Sequence, residues 1–310
     1  MPIEKRTVIF IVGPTAIGKT ALALKLARKV GAEIISCDSM QVYRGMDILS
    51  QSPGPSETKK VRYHLVRFLS PTKEYSAGSF RRRAASLIDD IIRRKNLPII
   101  VGGTGLYVKG LVDGLFPAPE ADLKFRKNMY DYASRYGNRR LHKKLEKIDP
   151  ASASTVHSNN VRRVVRALEI CRSTGRTMTE LKSGTKGIAD KYRINTFGLT
   201  SSREKIYSDI NDRVDSMFEE GLVREVKRLS RERLSVTAKA ALGFKEVLKF
   251  LKGEIDLKTA KEMMKQNTRR YAKRQLTWFR ADGRIRWFDV EKMKSGRIID
   301  AIAKEIRKDE

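Results

Sequence analysis

The stretch Val8-Ile9-Phe10-Ile11-Val12-Gly13-Pro14-Thr15-Ala16-Ile17-Gly18-Lys19-Thr20-Ala21-Leu22-Ala23-Leu24 decides the fold class. Its apolar run Val8–Val12 reads as a buried strand and the residues from Ala21 to Ala27 as a helix. Between them Gly13, Pro14, Thr15, Ala16, Ile17, Gly18, Lys19 and Thr20 fit G-x-x-x-x-G-K-[ST]. In that loop backbone N–H groups at a helix N-terminus surround phosphate oxygens, Lys supplies charge and Ser/Thr binds Mg²⁺. Chance would produce the four restricted positions about once per hundred chains of this length. The loop predicts a held di- or triphosphate without saying what is done with it.

The charge balance asks for a further partner. The 310 residues carry 65 Lys and Arg against 36 Asp and Glu, a formal net charge of +29. A phosphate loop needs only a few of those cations. RNA, DNA and anionic membrane are the natural partners of such a surface; a solvated surface from a Lys/Arg-rich proteome is the alternative. No stretch approaches membrane-spanning length, and Val8–Val12 is too short for a signal peptide. Cys37 and Cys171 form no spacing with His64, His142 and His157 that suggests zinc or a disulfide, so a cytoplasmic protein is expected.

Along the chain, Ala32–Cys37 predicts a second strand that delivers Asp38-Ser39-Met40-Gln41 at its C-terminal end, one strand over from the loop. Leu97–Val101 predicts another, running into Gly102-Gly103-Thr104-Gly105, with Asp90–Arg94 in a helix between them. The fold class expected is α/β: a P-loop-type parallel sheet flanked by helices, with an all-helical insertion domain. Phe116-Pro117-Ala118-Pro119 reads as a rigid boundary, after which strand signals vanish until about Tyr192–Leu199. Nine Lys/Arg and three Asp/Glu lie between Asp122 and Lys147 at helical spacing. Residues 1–117 are read as the first part of the core and 118–190 as a basic helical insertion. Residues 191–310 complete the core and are read as mostly helical.

The candidate chemistry centres on few residues. The strand at Ile99–Val101 does not end in the Mg²⁺-holding Asp of hydrolysing P-loop machines, which favours group transfer. Asp38 is a candidate general base, with an Asx turn or helix cap as the equal alternative. Gln41 could complete a cap or read a base edge. The turn at Gly102–Gly105 allows close approach of backbone to a ligand, or is simply a turn, and Thr104 offers a hydroxyl. Arg162, Arg163 and Arg166 make a basic helical face backed by Val164 and Val165, suited to phosphates or to solvent. In the helix around Tyr271, Trp278 and Phe279 the aromatics are read as core and the cations as surface.

These segments together resemble the tRNA dimethylallyltransferase (isopentenyl-tRNA transferase) family. The resemblance rests on Gly-Pro-Thr-Ala-x-Gly-Lys-Thr at 13–20, Asp-Ser-x-Gln-Val-Tyr-Arg-Gly-Met-Asp at 38–47, and Tyr75-Ser76-Ala77 with Phe80. It continues through Gly-Gly-Thr-Gly-Leu-Tyr at 102–107, Arg-Val-Val-Arg-Ala-Leu-Glu at 163–169 and Tyr-Ala-Lys-Arg-Gln-x-Thr-Trp-Phe-Arg at 271–280. It implies transfer of a dimethylallyl group from its diphosphate to the exocyclic amine of the adenosine 3′ to a tRNA anticodon. Thr15–Thr20 would hold the diphosphate, with Lys19 and a Mg²⁺ on Thr20 neutralising charge, and Asp38 would take the amine proton. Asp38, Ser39, Met40, Gln41, Thr104, Arg162, Arg163, Val164, Val165 and Arg166 would contact the tRNA, with Arg126 and Gly243-Phe244-Lys245 as weaker carry-overs. The family also implies a monomer.

The chain departs from the family pattern at Leu49–Pro53, at Tyr63-His64 where paired histidines are usual, at Asn160 for Asp and at Phe244 for Tyr. Two other readings stay open on residues alone. One is a P-loop kinase of a small metabolite, in which Asp38 activates a hydroxyl toward ATP. The other is an RNA-binding protein that uses a nucleotide as a switch.

Overall fold

A computed structural model describes residues 6–116 and 119–308. Six strands form one sheet: β1 (Thr7–Val12), β2 (Ala32–Ser36), β3 (Tyr63–His64), β4 (Leu97–Gly102), β5 (Arg193–Thr200) and β6 (Ile285–Asp289). The order is β3-β2-β4-β1-β5-β6, and every neighbouring pair is parallel. Parallel strands need helical crossovers that cover both faces, which is why β1 and β4 read as unbroken apolar runs. From Val8 through Val12 each residue of β1 is 0% exposed.

The register puts the functional ends side by side. Val12 pairs with Gly102 on one side and Gly198 on the other, while Ser36 pairs with Val101. Asp38 is therefore not one strand over from the phosphate loop, as expected, because β4 lies between β2 and β1. The chain leaves β1 toward one edge of the sheet and leaves β4 toward the other. The crevice between those two C-terminal ends is the switch point at which such sheets bind ligands.

The chain divides into two compact units, one of residues 1–112 and 191–310 and the other Asp113–Asp190. The second unit contains helices Leu123–Tyr136, Asn138–Ile148, Pro150–Thr155, Val161–Thr174 and Met178–Lys182. Its own core joins Ala133, Leu141, Leu145, Ala153, Val164, Val165, Ala167 and Leu168, so the Lys and Arg between these positions, Arg166 apart, are left on the outside. Of the expected boundary at 116–119, Pro117 and Ala118 lie outside the described residues.

Two edge strands escape the sequence reading. β3 is two residues long, and β6 (Ile-Arg-Trp-Phe-Asp) sits in a region read as helical. Among the described residues no helix is long and apolar enough to cross a membrane.

Candidate active site

The phosphate loop is shaped by backbone geometry. Gly13 (φ 144°), Ala16 (φ 67°) and Gly18 (φ 85°) all take positive φ, and Gly18 caps the helix Lys19–Val30. A Cβ on Gly13 would lie 2.6 Å from the Leu199 carbonyl oxygen, so this position admits only glycine. The first bond at the helix start runs from Leu22 N to Gly18 O at 3.1 Å, which leaves the amides ahead of Leu22 without helical acceptors. Such amides form a concave donor set for an anion.

Thr15 stands apart from the rest of the loop. Its N–H donates to Gln275 Oε1 at 2.9 Å, and its hydroxyl accepts from an Arg213 guanidinium nitrogen at 3.2 Å. Within the stretch Thr15–Thr20 expected to hold the diphosphate, the Thr15 amide is thus already engaged by the protein.

Two cations share this space. The Lys19 amine donates to the Pro14 carbonyl at 2.6 Å. Burial pulls its pKa down to about 7, the Arg213 charge pushes the same way, and the Asp38 carboxylate opposes both. Arg213 is likewise lowered by burial and supported by Asp38. Neighbouring, desolvated cations of like sign disfavour each other, and a bound anion relieves both.

Asp38 follows β2 and carries both of its readings at once. Its Oδ1 accepts from Met40 N at 2.8 Å and Gln41 N at 3.4 Å, an Asx turn. No described residue donates to Oδ2. Burial raises the carboxyl above the ordinary range, opposed by the turn bonds and by the charges of Lys19 and Arg213. One oxygen thus shapes the turn and the other is available to take a proton.

Thr104 faces the same region: Ser39 N donates to its hydroxyl at 3.3 Å, and the Tyr271 hydroxyl lies beside it. Tyr271 is pushed above the ordinary phenol range by burial and by Asp38. Tyr63, on β3, lies beside Thr20 and is raised by burial as well. Met40 is half-buried, whereas the Gln41 amide turns inward, accepting from Ser36 Oγ at 2.7 Å and donating to the Gln51 carbonyl at 3.2 Å. Gln41 therefore anchors the turn rather than presenting its amide to a base edge.

The glycines at the end of β4 and just after it pack closely within the protein. A Cβ on Gly102 would lie 2.0 Å from the Cys37 carbonyl oxygen, one on Gly103 2.1 Å from Gln275 Nε2, and one on Gly105 2.2 Å from the Trp278 ring. Gly102 thus makes room for the chain that follows β2, and Gly103 and Gly105 for the helix Leu257–Arg280. Phe279 on that helix is core, as expected, while Tyr271 and Trp278 are half-buried because they face this turn. Cys37 is a fully buried thiol, raised by burial.

A Mg²⁺ fits the oxygen donors present. Among the described residues no three His, Cys, Asp or Glu side chains are grouped to hold a metal. The half-exposed Thr20 hydroxyl is the loop's donor, and Mg²⁺ takes few protein oxygens beside phosphate and water.

In the inserted unit the candidate RNA residues separate into three groups. Arg162 and Arg163 are exposed. Arg126 and Arg166 both clamp Glu169, whose side chain is 0% exposed: Arg126 Nε donates at 2.8 Å and Arg166 joins through NH1. Val164 and Val165, 0% and 1% exposed, lie in the unit's core, so their side chains offer RNA no surface. Asn160 caps the helix Val161–Thr174 by accepting from Arg163 N at 3.4 Å, a task Asn and Asp perform equally well. In the core unit Phe244 is buried at the start of the helix Phe244–Leu251, with Gly243 as its cap and Lys245 exposed. Ser76 caps the helix Ala77–Arg93, and Phe80 stacks on Tyr107 at 4.5 Å, so that motif is structural.

Sequence reasoning missed Arg213, and it quoted Gln275 only within the motif at 271–280, with no role of its own. Arg213 is one of two Arg on the amphipathic helix Arg203–Glu219, with no local pattern to set it apart; Gln275 carries no charge.

A family model for IPP transferase matches residues 41–282. The chain is 46% identical over 299 residues to the tRNA dimethylallyltransferase of Carboxydothermus hydrogenoformans, covering 96% of each chain. It is 42% identical to that of Halothermothrix orenii, covering 97% of this chain and 93% of the relative. A crystal structure of the tRNA isopentenylpyrophosphate transferase from Bacillus halodurans superimposes with a TM-score of 0.71 at 40% identity, covering 98% of both chains. A eukaryotic dimethylallyltransferase acting on tRNA gives 0.75 at 30% identity, covering 96% of this chain and 80% of the other. With a six-stranded parallel sheet, a phosphate loop at its switch point and relatives of this identity along nearly its whole length, the chain belongs to the IPP transferase family of tRNA dimethylallyltransferases.

Proposed function

We propose that the chain transfers the dimethylallyl group of dimethylallyl diphosphate to the exocyclic N6 of the adenosine 3′ to a tRNA anticodon, releasing diphosphate. The single observation that carries the reading is that the loop anchors two cations, Lys19 through the Pro14 carbonyl and Arg213 through the Thr15 hydroxyl, with the Asp38 carboxylate within their field. The names of relatives at more than 40% identity support the substrate pair.

The chemistry needs three things from the protein. The C1–O bond of the allylic diphosphate breaks and its electron pair stays on the leaving oxygen. The amides after Thr15, with Lys19 and Arg213, stabilise that developing charge. The N6 lone pair forms the new bond to C1, and the amine proton passes to Asp38, whose Oδ1 keeps the turn in place meanwhile. A Mg²⁺ on Thr20, when bound, adds charge neutralisation on the leaving group. The target base has to leave its stack to reach Asp38, as for other enzymes that act on bases.

The inserted unit supplies RNA affinity through outward cations, of which Arg162 and Arg163 are the exposed helical pair. We expect a cytoplasmic monomer. The test is to incubate the protein with dimethylallyl diphosphate, Mg²⁺ and an unmodified anticodon stem-loop, then weigh the RNA. Addition of one dimethylallyl group is the expected result. Unmodified RNA, or ATP-dependent phosphorylation of a small molecule, overturns the reading.

A further inference from the structure

We infer that Gln275 is a positioning residue that holds the phosphate cradle in register with the turn carrying Thr104. The inference rests on the transferase reading above and concerns a residue which touches neither the phosphate-facing amides nor Asp38.

The geometry is a two-armed clamp. Gln275 lies on the helix Leu257–Arg280 and is 6% exposed. Its Oε1 accepts from Thr15 N at 2.9 Å and its Nε2 donates to the Gly103 carbonyl at 2.9 Å. One amide therefore bridges the segments that follow β1 and β4, the two strands whose C-terminal ends make the switch point. A primary amide is the natural group for this task because it offers one acceptor and one donor in a fixed plane. Both partners are backbone groups, the Gly103 carbonyl buried and the Thr15 amide partly so, and a buried backbone group is costly to leave unpaired.

The surroundings are built to fit this amide. Gly103 has no side chain where a Cβ would sit 2.1 Å from Nε2. The next residue, Thr104, accepts from Ser39 N at 3.3 Å, and Ser39 adjoins Asp38. On the other side Thr15 accepts from Arg213 at 3.2 Å. Gln275 thus sits at the middle of a chain running from the diphosphate-side cation, through Thr15, Gly103 and Thr104, to the turn of the base. Displacing reacting groups by about an ångström costs roughly a hundredfold in rate, which sets the scale for losing such a clamp.

Three substitutions, read by kinetics and by hydrogen exchange, test the proposal. Gln275→Met keeps volume and removes both arms; Gln275→Glu keeps the acceptor for Thr15 and sets a carboxylate oxygen against the Gly103 carbonyl. With wild type transferring in the same assay, both are expected to lower kcat at least tenfold with KM for the RNA within twofold and melting within a few degrees. Gly103→Ala, which pushes the amide aside, is expected to add little to Gln275→Met, since both break one clamp. Independently of activity, backbone hydrogen exchange in Gln275→Met should rise in peptides covering 13–20 and 102–107 and stay unchanged at 161–174. Unchanged exchange in both peptides overturns the clamp whether or not the wild type transfers. So does an unaltered kcat, or a loss that vanishes when normalised to folded protein. A wild type inactive toward RNA, with the exchange change present, would sink the transferase reading and leave the clamp standing.

Discussion

An Arg213 guanidinium nitrogen lies 3.2 Å from Thr15 Oγ1, joining two residues 198 positions apart. The contact fixes a long side chain beside the loop before any anion arrives, and the Lys19 amine is fixed beside it by the Pro14 carbonyl at 2.6 Å. Preset charges of this kind lower the barrier because they need not reorganise as charge develops.

Removing either charge should therefore affect the transfer step more than binding. Arg213→Gln and Lys19→Gln are each expected to lower kcat about a hundredfold to a thousandfold, the scale for losing one preorganised donor to a developing anion. Thr15→Val, which loses the anchor and keeps the cation, should cost far less. Single-turnover rates with saturating substrates check this. Equal losses for Thr15→Val and Arg213→Gln would show that the hydroxyl, not the charge, matters.

For Asp38 the two oxygens allow a clean separation. Asn at 38 keeps a carbonyl oxygen for the Met40 and Gln41 amides and removes the proton acceptor, so Asp38→Asn should fold normally and lose roughly 10²–10⁴-fold in rate. The raised carboxyl also sets a pH signature. The ionised form is the base, so the wild-type rate should fall as pH drops through a pKa above the ordinary Asp value. The limb should be missing in Asp38→Asn. A variant that transfers at the wild-type rate would remove Asp38 from the mechanism.

Much of this site is legible in the sequence, for local reasons. The phosphate loop, the strands at 32–37 and 97–101 and the basic insertion each announce themselves within a dozen residues, by glycine geometry, apolar runs or charge at helical spacing. Arg213 and Gln275 do not, because what defines them is where two distant helices dock. Gln275 reaches Thr15 across 260 residues, and no local pattern marks a buried amide on a helix rich in Lys and Arg. The same holds for β3: two residues carry no periodicity, and the strand rests on its pairing with β2, where Glu33 gathers His64 with Arg94 and Asn96.

That gathering gives an acid-stability prediction. Glu33, 4% exposed, bonds Asn96 at 2.8 Å, His64 at 2.7 Å and Arg94 at 2.9 Å. These partners overcome the burial cost and hold its pKa at about 2, below the ordinary 4.5. With the folded value depressed, the stabilisation is complete above about pH 4.5 and is lost as pH falls toward 2. Its size is about 3 kcal/mol from the shift. Denaturant titrations should show Glu33→Gln less stable at pH 7 and converging on the wild type near pH 2. Parallel curves at all pH values would mean that the charge contributes nothing. Because His64 neighbours Tyr63, which lies beside Thr20, the variant should also weaken binding of inorganic diphosphate at neutral pH.

In the inserted unit the arginines should divide by burial of their partners. Arg162 and Arg163 project from the helix Val161–Thr174 into solvent, so replacing either by Ala should leave melting unchanged, weaken RNA binding and reduce the slope of log affinity against log salt by roughly one. Arg126 and Arg166 instead neutralise Glu169, a carboxylate with no exposed side-chain surface. Removing one guanidinium leaves a buried charge half-paired, which destabilises by about 3–5 kcal/mol in comparable cases. Arg126→Ala should therefore lower the melting temperature, and the paired change Arg126→Ala with Glu169→Leu should recover part of it by removing the stranded charge. RNA binding by that double variant then tells whether Arg126 touches RNA in its own right: full affinity in a refolded unit assigns it to the scaffold alone, and a lasting loss with a reduced salt slope assigns it to the RNA surface as well.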